Sequence, residues 1–277
     1  MNTNKKNNTI LFTIFGIVLI VVVGLLVFFA NRPKTDDSSA SSTNTSSSSQ
    51  KVNYPTNYTL NAAVKNSSTA LNDLTLPQLS TTVGEDEAEV QIKTSAGNIN
   101  IKLFPKLAPN AVQNFLVLAK HGYYKNNEFF RVIKDFMIQS GDPSNKGTGT
   151  ASIFGGKTFD TEISNQLYNI RGALALANTG QASSSSSQFF IVQNPQDMTS
   201  QIQDKSKYPQ KIIDAYKKGG YPSLDGSYTV FGQVISGIDV VDKIAKADVK
   251  TNSSGESSAP IDPVKIKSVK ILKDWKF

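Results

Sequence analysis

Few residues in this 277-residue chain could do chemistry, and their scarcity narrows what it can do. There is no cysteine, which removes disulfides, thiolate nucleophiles and cysteine metal sites. One histidine, His121, leaves no imidazole pair for a zinc site or a serine hydrolase. The serines from Ser183 to Ser187 have no general base nearby, so their hydroxyls are inert as nucleophiles. Asp142 and Asp225 read as turn formers rather than acids, and His121, next to Gly122, as a helix-end residue. Arg131 stands among aromatics and amides, but alone it reads as a surface charge on a strand, as Phe136 and Phe190 alone read as core. Any chemistry must run without an imidazole pair, a thiol or a typical transition metal.

The elements that would position these residues occupy the C-terminal two-thirds. From Ala88, Val90 and Ile92 alternate with polar neighbours, a turn falls at Ser95 to Asn98, and Ile99, Ile101 and Leu103 alternate again, which predicts a hairpin. Pro109 suits a first helical position, Val112, Phe115, Leu116 and Ala119 share one face, and Gly122 supplies the stop. Short strands are expected at Phe129 to Ile133, Phe136 to Gln139, Ala173 to Ala177, Gln188 to Val192 and Thr229 to Ile235. A second helix is expected over Ile238 to Ala247, with Val241, Ile244 and Ala245 on one side. The last strand, Val264 to Leu272, changes phase between Ile266 and Val269, the mark of a bulge. Many short strands with few helices argue for a mainly β fold, a closed antiparallel barrel or a sandwich.

Ahead of this domain, after a short tail (residues 1–9), Ile10 to Ala30 is apolar apart from Thr13, Gly16 and Gly24 and follows Lys5 and Lys6. As a helix it would run about 31 Å, the thickness of a bilayer's hydrocarbon core, so it is read as a transmembrane signal anchor. A cleaved signal peptide is the alternative, but its apolar region is usually shorter and ends in small residues, where this chain has Phe28 and Phe29. Residues 31–87 form a stalk and an extension. Ser38 to Ser49 is too polar to fold and reads as a flexible tether. Between Lys51 and Glu87, Leu71, Leu74, Leu76 and Leu79 could pack against a domain, whereas the surrounding Asn, Ser and Thr argue for disorder. Arg32 and Lys34 nearly balance Lys5 and Lys6, so charge alone sets no orientation. The Ser-rich tether and the absence of cysteine suit an extracytoplasmic bacterial domain on a single-pass anchor in the cell membrane. The net charge of +7 comes from scattered lysines with no run longer than two, a soluble basic surface rather than a nucleic-acid site.

The run from Phe129 to Asp142 closely resembles the cyclophilin signature, in which an Arg (Arg131) precedes Phe-Met-x-Gln-x-Gly-Asp (Phe136 to Asp142). Three further blocks agree in order and spacing: Gly147-Thr148-Gly149; Leu176-Ala177-Asn178 leading to Ser187-Gln188-Phe189-Phe190-Ile191; and Leu224-Asp225-Gly226 before Val230-Phe231-Gly232. The resemblance spans Ala88 to Phe277, and four ordered blocks are far more specific than one short motif. It implies a closed eight-stranded antiparallel barrel capped by two helices, with substrate in an outer groove. It implies a peptidyl-prolyl cis/trans isomerase, here in a membrane-anchored bacterial form acting on Pro-containing polypeptides during folding of exported proteins. The alternative is a non-catalytic Pro-peptide-binding or chaperone module at the cell envelope.

By matching position, the catalytic residues would be Arg131, Phe136, Gln139, Asn178 and Phe190, with Phe130, Met137, Ala177, Gln188, Leu224 and Tyr228 contacting substrate. Phe136, Met137, Phe190 and Leu224 would hold the proline ring. No metal or cofactor is implied. The chain departs from the family where a frequent His before the Arg is Phe130, another groove His is Tyr228, and a frequent Trp is Ser223. That Trp can donate a hydrogen bond to cyclosporin, so only weak cyclosporin binding is expected. The loop from Asn178 to Gln188 is one residue longer, and Gln196 to Tyr221 reads as an insertion with a short helix near Pro209 to Lys218. Such a residue set fits the reaction. An X-Pro bond prefers trans by only about 0.5–1 kcal/mol, yet amide conjugation raises a barrier near 20 kcal/mol. Crossing it makes no bond and moves no proton, and a guanidinium can donate to the lone pair that the twisted nitrogen regains.

Overall fold

The computed structural model describes residues 52–181 and 183–277. The expected anchor, Ile10 to Ala30, and tether, Ser38 to Ser49, lie outside the described residues. Among the described residues no helix is long and apolar enough to cross a membrane.

Among the described residues ten strands form: β1 (Ala88–Thr94), β2 (Asn98–Leu103), β3 (Arg131–Ile133), β4 (Met137–Ser140), β5 (Ala173–Leu176), β6 (Phe189–Val192), β7 (Val230–Ser236), β8 (Val249–Thr251), β9 (Ser257–Pro260) and β10 (Ile266–Lys273). Eight make one antiparallel sheet in the order β10-β1-β2-β7-β5-β6-β4-β3, and β8 and β9 make a separate hairpin. The closed barrel expected from the family is corrected here to a curled, open sheet. Its edge strands β3 and β10 share no ladder; among the described residues the segment before β3 meets the start of β10 through the bridge Glu128↔Lys265, the ion pair of those two side chains, and a few backbone bonds such as Phe129 N–H to the Val264 carbonyl. β3 is three residues long and the chain reaches β10 through Pro260 and Pro263, which have no N–H to extend a ladder. The phase change in the last strand is a bulge at Lys267, since Lys93 pairs Ser268 while Thr94 pairs Ile266.

Two helices cover the inner face, α1 (Pro109–Lys120) and α3 (Ile238–Ala245); between them the insertion carries α2 (Gln210–Tyr216). Pro109 occupies the first turn of α1, and His121 is its C-cap. Ala108 cannot cap the free N–H groups at its start, so Glu162 does so from a distant loop, accepting from Asn110 N at 3.0 Å and Ala111 N at 2.9 Å. Phe115 carries α1 into the core, with its ring 4.8 Å from Tyr124, 5.5 Å from Phe231 and 5.7 Å from Phe189.

Residues 52–87 follow the domain surface. Asn57 bridges Phe154, Asn61 bonds Asn110 and Gln113, and Leu74 is buried. Gln78, also buried, bonds the Tyr168 backbone in both directions and Gln233. Leu76 packs with Tyr168, Ile212 and Tyr216 of the insertion, whereas Leu79 stays exposed. A fragment cut at Ala88 would strip these contacts, so a soluble domain should begin before Val52.

Candidate active site

The site follows from the two-residue period of four adjacent strands. On β4, β5 and β6 the residues Ile138, Leu174, Leu176, Phe189 and Ile191 enter the main core, while Met137, Ala173, Ala175, Phe190 and Val192 form a second apolar cluster on the opposite face. Val132 on β3 is core, so Arg131 and Ile133 face outward with that second set. Strand register then lines up Arg131 with Gln139, Gln139 with Phe190, and Phe190 with Ala175. A parallel row joins Ile133, Met137 and Val192.

Loops complete the patch. Phe136 comes from the β3–β4 turn, Leu224 from the 3₁₀ turn Pro222–Leu224, and Tyr228 from the approach to β7. Tyr228 lies edge-on to Phe190 at 5.5 Å. Met137, Phe190 and Leu224 are buried, and Phe136, Ala177 and Tyr228 are half-buried against them. The expected ring-holding residues thus share one surface beside Arg131. Phe130 does not join them: it lines a separate recess of about 290 Å³ with Glu128, Asn145, Lys250, Pro260 and Pro263 among others. A larger recess, about 470 Å³, lies at Leu71, Tyr208 and Lys217, away from all of these residues. The Arg131 site is an open groove, absent from both recesses.

A directed hydrogen-bond chain runs beneath it. Arg131 Nη1 donates to Gln139 Oε1 at 3.3 Å, Gln139 Nε2 to Gln188 Oε1 at 3.0 Å, and Gln188 Nε2 to the Gly149 and Gly147 carbonyls at 2.7 and 3.1 Å. Guanidinium only donates and carbonyls only accept, so the two ends fix both amide orientations. Gln188 therefore braces Gln139 and the glycine loop, and Gln139 keeps one N–H uncommitted. Gly149 has to be glycine, because a Cβ there would overlap the Asp142 carboxylate, which closes its turn through Ser144 and Lys146. Asn178 Nδ2 donates to the Ser227 carbonyl at 2.8 Å, while its own backbone N–H and carbonyl have no partner among the described residues.

Two residues escaped the sequence reading. Tyr221 sets its ring 4.5 Å from Phe136 and returns aromatic surface near the exposed Ser223. Glu256, just before β9, grips Arg131 with both oxygens: Oε2 accepts from Nε at 2.6 Å and Oε1 from Nη2 at 2.8 Å. Burial alone would raise its carboxyl, but Arg131's hydrogen bonds and charge, with smaller help from Ser258, hold it below the ordinary glutamate value. Its share of stability is complete above that value and fades as pH falls through the lowered one. Burial raises the Tyr228 hydroxyl, and the charge of Arg131 opposes that rise. The β8–β9 hairpin gives almost no periodic signal, since its strands are short and polar; only Asn252 to Gly255 carries turn chemistry.

Residues 89–271 match the family model described as cyclophilin type peptidyl-prolyl cis-trans isomerase/CLD. A Staphylococcus aureus protein named "Putative peptidyl-prolyl cis-trans isomerase" is 45% identical over 199 residues, covering 70% of this chain and 97% of the relative. One of the same name from Staphylococcus epidermidis is 42% identical with the same coverage. Among solved structures, a Cryptosporidium parvum cyclophilin type peptidyl-prolyl cis-trans isomerase, crystallised in the presence of the dipeptide Ala-Pro, superposes with a TM-score of 0.54 at 32% identity, covering 67% of this chain and 99% of the other.

Proposed function

The chain belongs to the cyclophilin-type peptidyl-prolyl cis-trans isomerases, and on that premise we propose that Arg131 and its groove accelerate X-Pro rotation in polypeptides folding outside the cytoplasm. The observation that carries this reading is the register row Arg131, Gln139, Phe190, with Phe136, Met137 and Leu224 closing an apolar surface beside the guanidinium. The proline ring sits on that surface, selected by shape and apolar contact. The Asn178 backbone N–H and carbonyl hold the peptide as a strand would. As the amide twists, its nitrogen pyramidalises, and an Arg131 N–H donates to the returning lone pair or the adjacent carbonyl. A preorganised donor in a water-poor site stabilises that state more than the planar one, which lowers the barrier. The test is refolding of a secreted protein limited by a slow proline phase: catalytic amounts of the full chain should speed it. Binding of the client without acceleration would make the domain a holder of Pro-containing segments.

The placement rests on Ile10 to Ala30 as a single-pass anchor and Ser38 to Ser49 as a tether. External protease on intact cells should release a soluble domain by cutting between Ser38 and Ser49. Cutting only after lysis would reverse the orientation.

Cyclosporin should bind weakly. Ser223 lacks the hydrogen-bond donor and apolar area of an indole, a deficit of roughly 1–3 kcal/mol, about tenfold to a hundredfold in affinity. Tyr221, two residues before Ser223, supplies ring surface against Phe136. Ser223→Trp should recover most of the deficit in a calorimetric titration, and tight binding by the unmodified chain would contradict this reading.

A further inference from the structure

The tightest hold on Arg131 comes from outside the strands that build the groove. Its bond to Gln139 is 3.3 Å, beyond the usual N–H···O range, and its Nη1 contact with Met137 is to a thioether sulfur, a weak acceptor, at 3.7 Å. Glu256 instead makes two charge-assisted bonds, parallel and bidentate, at 2.6 and 2.8 Å. Both side chains are largely removed from solvent, with 16% of Arg131 and 22% of Glu256 exposed.

Glu256 is itself held. Asn252 Oδ1 accepts from the Glu256 and Ser254 N–H groups, both at 3.0 Å, and Asn252 N–H donates back to the Glu256 carbonyl at 2.8 Å. The same carbonyl accepts from Ser258 N–H. Gly255, at φ 86°, makes the tight turn just before it. The hairpin tip is a built bracket whose side chain ends on Arg131.

We propose that Glu256 is the positioning residue for Arg131, an inference that rests on Arg131 being the groove's catalytic donor. Of the five guanidinium N–H groups, Glu256 takes Nε–H and one on Nη2, and Gln139 takes one on Nη1. That leaves the second Nη2 N–H, and the Nη1 N–H facing only sulfur, for the twisting amide. Without the carboxylate, a long flexible side chain held by one stretched bond swings among rotamers and hydrates. The competent geometry then becomes a minor population. The peptide is held elsewhere, by the apolar surface and the Asn178 backbone, so the effect falls on turnover rather than binding.

The experiment compares Glu256→Ala, Glu256→Gln, Arg131→Ala and the double variant as full-length chains in nonionic detergent, using a protease-coupled assay on an Ala-Pro peptide and NMR of the arginine Nε–H. Glu256→Ala should lower kcat roughly tenfold to a hundredfold with KM nearly unchanged. The Arg131 Nε–H signal should move or vanish. Glu256→Gln, which keeps one acceptor, should recover part of the rate. In the Arg131→Ala background, Glu256→Ala should change nothing further. Wild-type or faster turnover in Glu256→Ala overturns the inference and leaves the catalytic reading of Arg131 intact. Equal losses in both backgrounds also overturn it, by making Glu256 a fold residue. Full activity in Arg131→Ala overturns both.

Discussion

Arg131→Ala should lower kcat/KM about tenfold to a thousandfold while leaving a folded protein. A charge-assisted hydrogen bond contributes about 1.5–3 kcal/mol, and a preorganised donor in a water-poor site about 3–4. Arg131→Lys should restore only part, because an ammonium keeps the charge but cannot engage Glu256 bidentately while presenting a second donor edge. From sequence alone Arg131 reads as a surface charge whose loss would leave the fold intact; the Glu256 pair changes that expectation. Deleting the guanidinium strands a largely buried carboxylate at a cost of about 1–3 kcal/mol, so the melting point should drop by several degrees. Arg131→Ala/Glu256→Ala should recover that stability without recovering turnover. Isomerase kinetics paired with melting curves separate the two effects, and unchanged kcat/KM in folded Arg131→Ala would remove the guanidinium from the mechanism.

Phe190→Ala should damage both stability and catalysis. Phe190 is 5% exposed and packs in the outer cluster with Met137, Leu224 and Val230, with Tyr228 edge-on to its ring. Truncating a buried Phe costs about 3–5 kcal/mol, and the open side of the groove lets neighbours relax, so the lower end applies. That is a large share of the roughly 5–15 kcal/mol that holds a domain folded. Losing one wall of the ring-binding surface should also cut kcat/KM about tenfold to a hundredfold, as burial of a side chain this size is worth about 1.5–3 kcal/mol. Phe190→Leu should keep most of both. The check is kinetics well below the variant's melting temperature. A rate deficit that persists there belongs to the groove, and one that disappears marks Phe190 as core alone.

Where the sequence speaks through periodicity, the fold was legible. Alternation around Val90, Ile92, Ile99 and Ile101 placed β1 and β2, and the phase slip between Ile266 and Val269 brackets the bulge that the β1–β10 register puts at Lys267. The motif from Arg131 to Asp142 named residues that the β3–β4 register sets side by side, and Phe190 joins them from β6. What stayed hidden depends on long-range pairing that no local pattern encodes. Whether the sheet closes is decided between β3 and β10, far apart in the chain, and both approaches are too irregular to ladder. Glu256 lies 125 residues from Arg131 in a hairpin of Ser, Thr and Asn, so neither spacing nor hydrophobicity could join them. Gln139 and Gln188 were half-legible: the motif put both at the groove, but the direction of each amide depends on Arg131 at one end and the Gly147 and Gly149 carbonyls at the other. Leu74 and Gln78 show the same limit, since a polar, aperiodic stretch looks unfolded until its partners on the domain are known.

The most direct test is NMR exchange on a short Ala-Pro peptide, in which cis and trans signals are resolved and their interconversion is slow without a catalyst. Substoichiometric full-length chain in detergent should produce cis-trans exchange cross-peaks within a mixing time of about a second, and the Arg131→Ala protein at the same concentration should produce far weaker ones. Peptide signals that shift or broaden on binding while cis-trans exchange stays at the uncatalysed rate would contradict catalysis at this groove.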